Sequence, residues 1–181
     1  MRIRAQAMTT DSPTTFEAHD MRELGTVPGL SGQTIELICS LVVSTMLNAA
    51  TDWALVADEL DLAVFPHGAF AASRLTAAGL PDMDVLAAIA DYARRGRCHI
   101  AACETIDGQD RAFLVSPGGV VLLDQPSQSG RAAGSSPVSI AVADTPLGMI
   151  ACLPDEDGRI AEYCRVATLS GAEIILNPRR L

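Results

Sequence analysis

The segment DLAVFPHGAF, residues 61–70, places a histidine just beyond the end of an apolar run. Leu62 to Phe65 is apolar, and Pro66 separates this run from His67. A buried strand that ends at a pocket has this pattern, with a polar side chain delivered after the apolar residues. A histidine in such a place can exchange a proton near neutral pH or bind a metal ion. The segment therefore indicates His67 as a candidate pocket residue.

Two charged residues, Glu162 and Arg165, lie three residues apart in a segment that predicts a helix. Residues at this spacing share one face of a helix, so the two side chains can form an ion pair. We expect this pair to be structural rather than catalytic.

The five cysteines form no pattern that indicates a nucleophile, a metal site or a disulfide framework. They are odd in number, scattered and set in apolar segments: Cys39, Cys98, Cys103, Cys152 and Cys164. This distribution predicts reduced thiols in the core. Cys152 lies three residues before Asp155, and an odd offset on a strand turns the two side chains to opposite faces. We therefore expect Cys152 to be a buried structural thiol.

Strands that alternate with helices must position these residues, which indicates an α/β fold. Apolar periodicity and turn residues predict strands over residues 2–8, 61–65, 98–103, 111–115, 120–123, 138–143, 149–153 and 172–176. Helices are predicted over residues 34–60, 82–95 and 158–170, with Gly96 ending the second. Residues 9–32 are expected to form a surface insertion, and residues 125–137 a flexible loop. The hairpin at residues 111–123 makes the predicted sheet mixed rather than purely parallel.

Length and charge limit the class of protein. The 181 residues predict a single domain over residues 1–181 with a substantial core. The net charge is −9, and the thirteen basic residues are all arginine, so the chain contains no lysine. An acidic chain without a basic patch is not expected to bind nucleic acid or an anionic membrane. No segment has the length of a membrane span or the pattern of a signal peptide, so we expect a cytoplasmic protein. We expect no cofactor.

Three segments share their motifs with one enzyme family. DLAVFPHGAF matches a strand that ends in Phe-Pro-Glu, and residues 98–123 match a strand, an acidic turn and a Ser-Pro-Asp-Gly hairpin. Residues 145–178, TPLGMIACLPDEDGRIAEYCRVATLSGAEIILNP, match a Thr-Pro-Phe-Gly strand, a Cys-Tyr-Asp elbow, a Glu-x-x-Arg helix and a Gly-Ala-Glu strand. In these motifs the chain resembles the nitrilase, or carbon-nitrogen hydrolase, superfamily. The resemblance implies an αββα sandwich of mixed sheets with flanking helices, truncated because the family domain continues beyond residue 178.

The family hydrolyses amides and nitriles with a cysteine nucleophile, a glutamate base and a lysine. By the resemblance, Asp155 stands at the nucleophile position, His67 at the base position and Ser127 at or near the lysine position. A carboxylate cannot form the family's thioester and would repel a developing oxyanion. Losing members of a catalytic unit costs on the order of 10⁴- to 10⁶-fold in rate. The resemblance therefore implies a pseudoenzyme that serves as an accessory, structural or ligand-binding subunit.

The same resemblance gives three further pocket or structural residues. Glu162 and Arg165 fall on the family's Glu-x-x-Arg, and Asp157 falls on the aspartate of the elbow. None of the three would replace the missing nucleophile, base or lysine.

Two active alternatives use the residues at the altered positions, which converge if the family fold holds. Ser127, His67 and Asp155 are the residue types of a Ser-His-Asp triad, so an amide, nitrile or ester hydrolase with non-standard residues is one alternative. A metal site built from His67, Asp155 and Asp157 is the other, although these residues lack a ligand spacing signature. In each case we expect His67 and Asp155 to lie within hydrogen-bond or ion-pair reach.

The predicted helix at residues 158–170 suggests association. Its apolar residues surround most of its circumference, and such a helix is usually buried on more than one side. A truncated sandwich would also leave sheet edges uncovered, and open edges invite pairing. We therefore expect a homodimer, or a hetero-complex with a nitrilase-like or other enzyme subunit, with this helix in the interface.

Overall fold

The computed structural model describes residues 61–71, 75, 83–129 and 137–180, together with three short strands nearer the N-terminus. These strands are β1 (Arg2–Ile3), β2 (Thr26–Pro28) and β3 (Thr34–Leu37). They form one sheet in the order β1-β3-β2, in which β3 pairs parallel with β1 and antiparallel with β2.

This small sheet corrects two predictions. The insertion expected over residues 9–32 contains strand β2, and the helix expected over residues 34–60 begins as strand β3. Thr34 and Ile35 are β-branched, which favours the extended backbone once a partner strand is present. The predicted strand over residues 2–8 is present at residues 2–3. The remaining residues of these three segments lie outside the described part of the chain.

A four-stranded mixed sheet carries the first half of the site. Its strands are β4 (Leu62–Val64), β5 (His99–Ile106), β6 (Gln109–Val115) and β7 (Val121–Pro126), in that order. β4 and β5 run parallel, whereas β5, β6 and β7 form antiparallel hairpins as predicted. The turn between β5 and β6 uses Asp107 and Gly108, both with positive φ, which a tight hairpin requires.

Helix α1 (Val85–Gly96) confirms the second predicted helix. The Asp84 side chain accepts hydrogen bonds from the backbone N–H groups of Leu86 and Ala87, and two arginines lie in the last turn. The aspartate pairs N–H groups that have no partner within the helix, and the arginines interact favourably with the negative end of the helix macrodipole. Gly96 is the last helical residue rather than the stop, because Arg97 takes the left-handed conformation that ends the helix.

A three-stranded sheet carries the second half of the site. Its strands are β8 (Val142–Thr145), β9 (Gly148–Cys152) and β10 (Ile174–Leu176), with β9 in the centre. A 3₁₀ helix, Asp155–Arg159, and helix α2, Ala161–Leu169, connect β9 to β10. The helix predicted to begin at residue 158 therefore begins at Ala161, because the preceding residues form the tighter 3₁₀ turn.

Three apolar clusters define the layers of the fold. One cluster packs α1 against the four-stranded sheet, the second fills the space between the two sheets, and the third packs α2 against the three-stranded sheet. The order is helix, sheet, sheet, helix, which is the αββα sandwich that the family resemblance implies. None of the helices in the described segments is long and apolar enough to cross a membrane.

Three thiols inside these layers should be unreactive in the native protein. Burial raises the pKa of Cys98 and of Cys103 to about 12 and also raises that of Cys152. Since the thiolate is the reactive form, iodoacetamide at pH 8 should label these sites less than about a tenth as fast as in unfolded protein. Cys164, which is only half-buried, is the control within the same chain. Peptide mass spectrometry that found all four labelled at one rate would contradict this.

Candidate active site

The candidate site lies where β4, β5 and β9 end. β4 delivers the turn that contains His67, and this turn is held to β5 by a hydrogen bond from Gly68 N–H to the Cys103 carbonyl and by one from Phe70 N–H to the Glu104 carboxylate. β9 delivers Asp155 through Leu153 and Pro154. The sequence therefore brings His67 and Asp155 together through strands of different sheets.

His67 is buried, and both of its ring nitrogens have polar neighbours. Nδ1 lies 3.5 Å from Asp155 Oδ2, so the expected ion-pair reach is met. Nε2 lies 3.1 Å from the Thr105 hydroxyl and 3.6 Å from Asp110 Oδ1. Thr105 and Asp110 were not among the residues predicted from sequence.

The hydroxyl beside His67 belongs to Thr105 and not to Ser127. A carboxylate at one ring nitrogen and a hydroxyl at the other is the arrangement of a hydrolytic triad. The Thr105 hydroxyl, however, donates to Asp110 Oδ1 at 2.6 Å. Its single proton is thereby committed, so the Thr105 oxygen can only accept from His67 Nε2–H. His67 is therefore the donor to this hydroxyl, whereas a general base must accept a proton from it.

Arg180 brings a guanidinium to this cluster. Its Nε donates to His67 Nδ1 at 3.3 Å and lies 3.6 Å from Asp155 Oδ2, while its Nη2 pairs with Asp110 at 3.2 Å. No local pattern marks Arg180, because it lies 113 residues from the histidine that it contacts.

Ser127 is held by Asp157, and neither reaches His67. The fully buried Asp157 carboxylate accepts from the Ser127 hydroxyl at 3.0 Å, from the backbone N–H groups of Gln128 at 2.6 Å and Ser129 at 3.0 Å, and from the Ser129 hydroxyl. This carboxylate therefore fixes the loop after β7 to the 3₁₀ helix. Within the predicted flexible loop at residues 125–137, residues 125–126 belong to β7 and residues 127–129 are anchored, which corrects that part of the prediction.

The Arg180 strap, residues 177–180, closes one side of the site. Asn177 Nδ2 donates to the carbonyls of Leu153 and Asp155, each at 3.0 Å. Gly158 makes this contact possible, because a Cβ at that position would overlap the Asn177 side chain. The Arg179 carbonyl then accepts from His67 N–H at 2.9 Å.

The cysteines near the site are structural. Cys152 is fully buried, and its thiol approaches the Phe113 carbonyl of the opposite sheet at 3.7 Å, which agrees with the expected turn away from Asp155. Cys103 lies beneath the site. Burial raises the pKa of its thiol to about 12, although a hydrogen bond from the Asp155 backbone acts in the opposite direction. Neither thiol is a displaced nucleophile.

Glu162 and Arg165 do not enter the site. Both are exposed on α2, and no ion pair joins them in the described structure, although their spacing would allow one. No group of three His, Cys, Asp or Glu residues in the described segments is arranged to hold a metal ion. Asp157, the third ligand of the metal alternative, has its oxygens occupied by the Ser127–Ser129 loop.

An open cleft of about 490 Å³ borders the cluster. Hydroxyls, carboxylates and the Arg180 guanidinium line it, and its members include Thr105, Asp110, Ser127, Ser129, Glu156 and Arg180. His67 and Asp155 lie below this surface, so a ligand in the cleft would meet Arg180 and Thr105 first.

Solved structures of amidases share this fold. An amidase from Nesterenkonia sp. matches with a TM-score of 0.55 and 18% identity, over 75% of this chain and 58% of that chain. A mutant of the Nesterenkonia AN1 amidase, described as being from the nitrilase superfamily, matches with a TM-score of 0.54 and 18% identity over 75% and 58% of the two chains. A third structure, an AN1 mutant with acrylamide added to its active-site cysteine, gives 0.54 and 19% over 71% and 57%.

The αββα sandwich of this chain is thus the fold of these amidases. The fold of this chain is that of the nitrilase superfamily, and the chain spans 58% of the length of the first of these amidases. Neither a protein-family model nor a curated protein sequence matches the chain.

Proposed function

We propose that this chain is a catalytically degenerate protein with the nitrilase fold, acting as an accessory, structural or ligand-binding subunit. The chain has no lysine, and the turn after β4 and the elbow after β9 present His67 and Asp155. A cysteine nucleophile, a glutamate base and a lysine are therefore absent from the positions where the family resemblance places them.

The observation that carries the proposal is the direction of the hydrogen bonds around His67. Thr105 donates its proton to Asp110, and Arg180 donates to His67 Nδ1. His67 therefore has no free lone pair with which to take a proton from a hydroxyl nucleophile. Asp155, which would orient a triad histidine, shares its place at Nδ1 with Arg180.

The second candidate is a hydrolase of amides, nitriles or esters that uses His67 and Asp155. The observation in its favour is the carboxylate–imidazole–hydroxyl order of Asp155, His67 and Thr105. Ser127, its expected nucleophile, donates to Asp157 instead. This candidate requires the Thr105 proton to turn from Asp110 to His67.

Turnover of a substrate panel separates the two. Amides, nitriles, carbamoyl compounds and esters are incubated with the protein, its His67→Ala and Asp155→Ala variants, and Asp144→Ala as an exposed control. We expect no turnover above that of buffer in any sample, with an intact amidase as the positive control. Turnover that both site variants abolish and the Asp144 variant retains would establish the hydrolase and overturn the proposal.

We also propose that α2 contributes to a dimer or hetero-complex. Leu169 on this helix is 77% exposed, whereas Val166 packs on the chain's own three-stranded sheet. Leu169→Glu is therefore the appropriate variant, because it changes the outward side without opening the core. Sedimentation equilibrium at micromolar concentration should show association that this variant removes. A 19.0 kDa species for the unmodified chain, with no partner recovered from the native extract, would overturn this proposal.

A further inference from the structure

The Arg180 strap contacts His67 through both backbone and side chain. The Arg179 carbonyl accepts from His67 N–H at 2.9 Å, and Arg180 Nε donates to His67 Nδ1 at 3.3 Å. Arg180 Nη2 holds Asp110 at 3.2 Å. The strap is thus fastened to the turn after β4 by one main-chain bond and by a guanidinium whose acceptor is an imidazole nitrogen.

The hydrogen bonds fix the proton on His67 when the ring is neutral. The Thr105 hydroxyl donates to Asp110, so its oxygen must accept from Nε2–H. Nδ1 then carries the lone pair that receives Arg180 Nε–H. A neutral imidazole has one donor and one acceptor nitrogen, and this arrangement satisfies both.

Nδ1 also faces Asp155 Oδ2 at 3.5 Å, and the two neighbours require opposite protonation states. Arg180 needs the lone pair of Nδ1, whereas Asp155 needs a proton on it. Uptake of one proton from solvent converts Nδ1 from acceptor to donor. Arg180 Nε lies 3.6 Å from the same Asp155 oxygen, so the two cations then compete for one carboxylate where a hydrogen bond between them had been.

We propose that His67 is a proton-operated latch for the Arg180 strap: the neutral ring holds the strap, and the protonated ring exchanges Arg180 for Asp155 and loosens it. The inference does not depend on the absence of hydrolysis. It assigns a regulatory role to the contact that borders the cleft, since Arg180 is a lining residue.

The other groups that face the turn do not compete for this role. Asp110 on β6 and Asp155 on the 3₁₀ helix supply the two carboxylates within 3.6 Å of the ring. On β5, Glu104 accepts from Phe70 N–H, and burial raises the pKa of Cys103 to about 12, so its thiol stays neutral. Histidine is the residue type that ordinarily changes charge near neutral pH, so the latch depends on His67.

Hydrogen exchange of the backbone amide at position 67 tests the latch, because this amide donates to the Arg179 carbonyl. Protection factors are corrected for the intrinsic pH dependence of exchange and compared at pH 8 and pH 5.5. We expect protection to fall about tenfold at pH 5.5, the effect of losing one charge-assisted hydrogen bond. The amide of Phe65, which donates to Ala101 inside the sheet, should keep its protection and reports global opening.

Two variants and one matched control decide the cause. His67→Gln has no titratable ring and Arg180→Gln has no cation to repel, so each should bring the ratio between the two pH values to about one. Arg179 lies on the same strap, but its side chain contacts Asn177 and only its backbone carbonyl contacts His67, so Arg179→Gln should keep the ratio of the unmodified chain. Equal protection at both pH values in the unmodified chain, or an unchanged ratio in either site variant, would overturn the proposal.

Discussion

Replacing Asp157 by alanine should lower the free energy of unfolding by about 3 to 5 kcal/mol. The carboxylate is fully buried and accepts from the backbone N–H groups of Gln128 and Ser129 and from two serine hydroxyls. Each buried donor left unpaired costs roughly 1 to 3 kcal/mol, and entry of a water molecule would recover part of this loss. Urea unfolding followed by circular dichroism measures the change.

Asp144→Ala is the matched control for this variant. Asp144 is an exposed aspartate on β8, and its side chain makes no hydrogen bond or ion pair with another of the described residues. Its replacement should change stability by less than about 0.5 kcal/mol. A loss at Asp157 no larger than that at Asp144 would mean that this carboxylate does not anchor the loop after β7.

Replacing Phe70 by alanine should cost about 3 to 5 kcal/mol, as expected for removing a buried aromatic ring. Phe70 is fully buried in the cluster between α1 and the four-stranded sheet. Its ring centroid lies 5.0 Å from that of Phe65 and 5.4 Å from that of Tyr92, the latter edge-to-face. Such pairs add about 0.5 to 1.5 kcal/mol beyond burial alone.

Val120→Ala provides the control for the core, because this side chain is 61% exposed. It should change the unfolding midpoint little. The Phe70 variant keeps the backbone N–H that donates to Glu104, so the measured loss reports the aromatic ring and not this hydrogen bond. A loss below about 1 kcal/mol would contradict the assignment of Phe70 to the core.

The sequence predicts secondary structure correctly where local signals and strand pairing favour the same element. The hairpin at residues 109–126 carries β-branched residues, and a tight turn at Asp107–Gly108 joins β5 to its first strand; the structure contains both. Helix α1, predicted over residues 82–95, has local signals at both ends, with Asp84 as its cap and two arginines in its last turn. At residues 34–37, by contrast, helical spacing of apolar residues competed with strand pairing, and pairing with β1 and β2 prevailed. The spacing of apolar residues does not show whether a distant strand is available for pairing.

The candidate site was predictable only in part. His67 and Asp155 follow recognisable strands, so the family resemblance places both. Thr105 lies near the end of β5, and Arg180 lies 113 residues from the histidine that it contacts. No local pattern marks either residue, because their roles arise from how two sheets and a strap meet. The contact between Ser127 and Asp157 was missed for the same reason.

The position of the proton on neutral His67 is the most direct test of this account. The ¹⁵N chemical shifts of the histidine rings at pH 8 distinguish the two tautomers, and His67→Gln identifies the signals among the three histidines of the chain. We predict a proton on Nε2, donated to Thr105, and a bare Nδ1 that accepts from Arg180. A proton on Nδ1 facing Asp155, with a bare Nε2 that receives the Thr105 hydroxyl proton, is the state of a working base and would contradict the account.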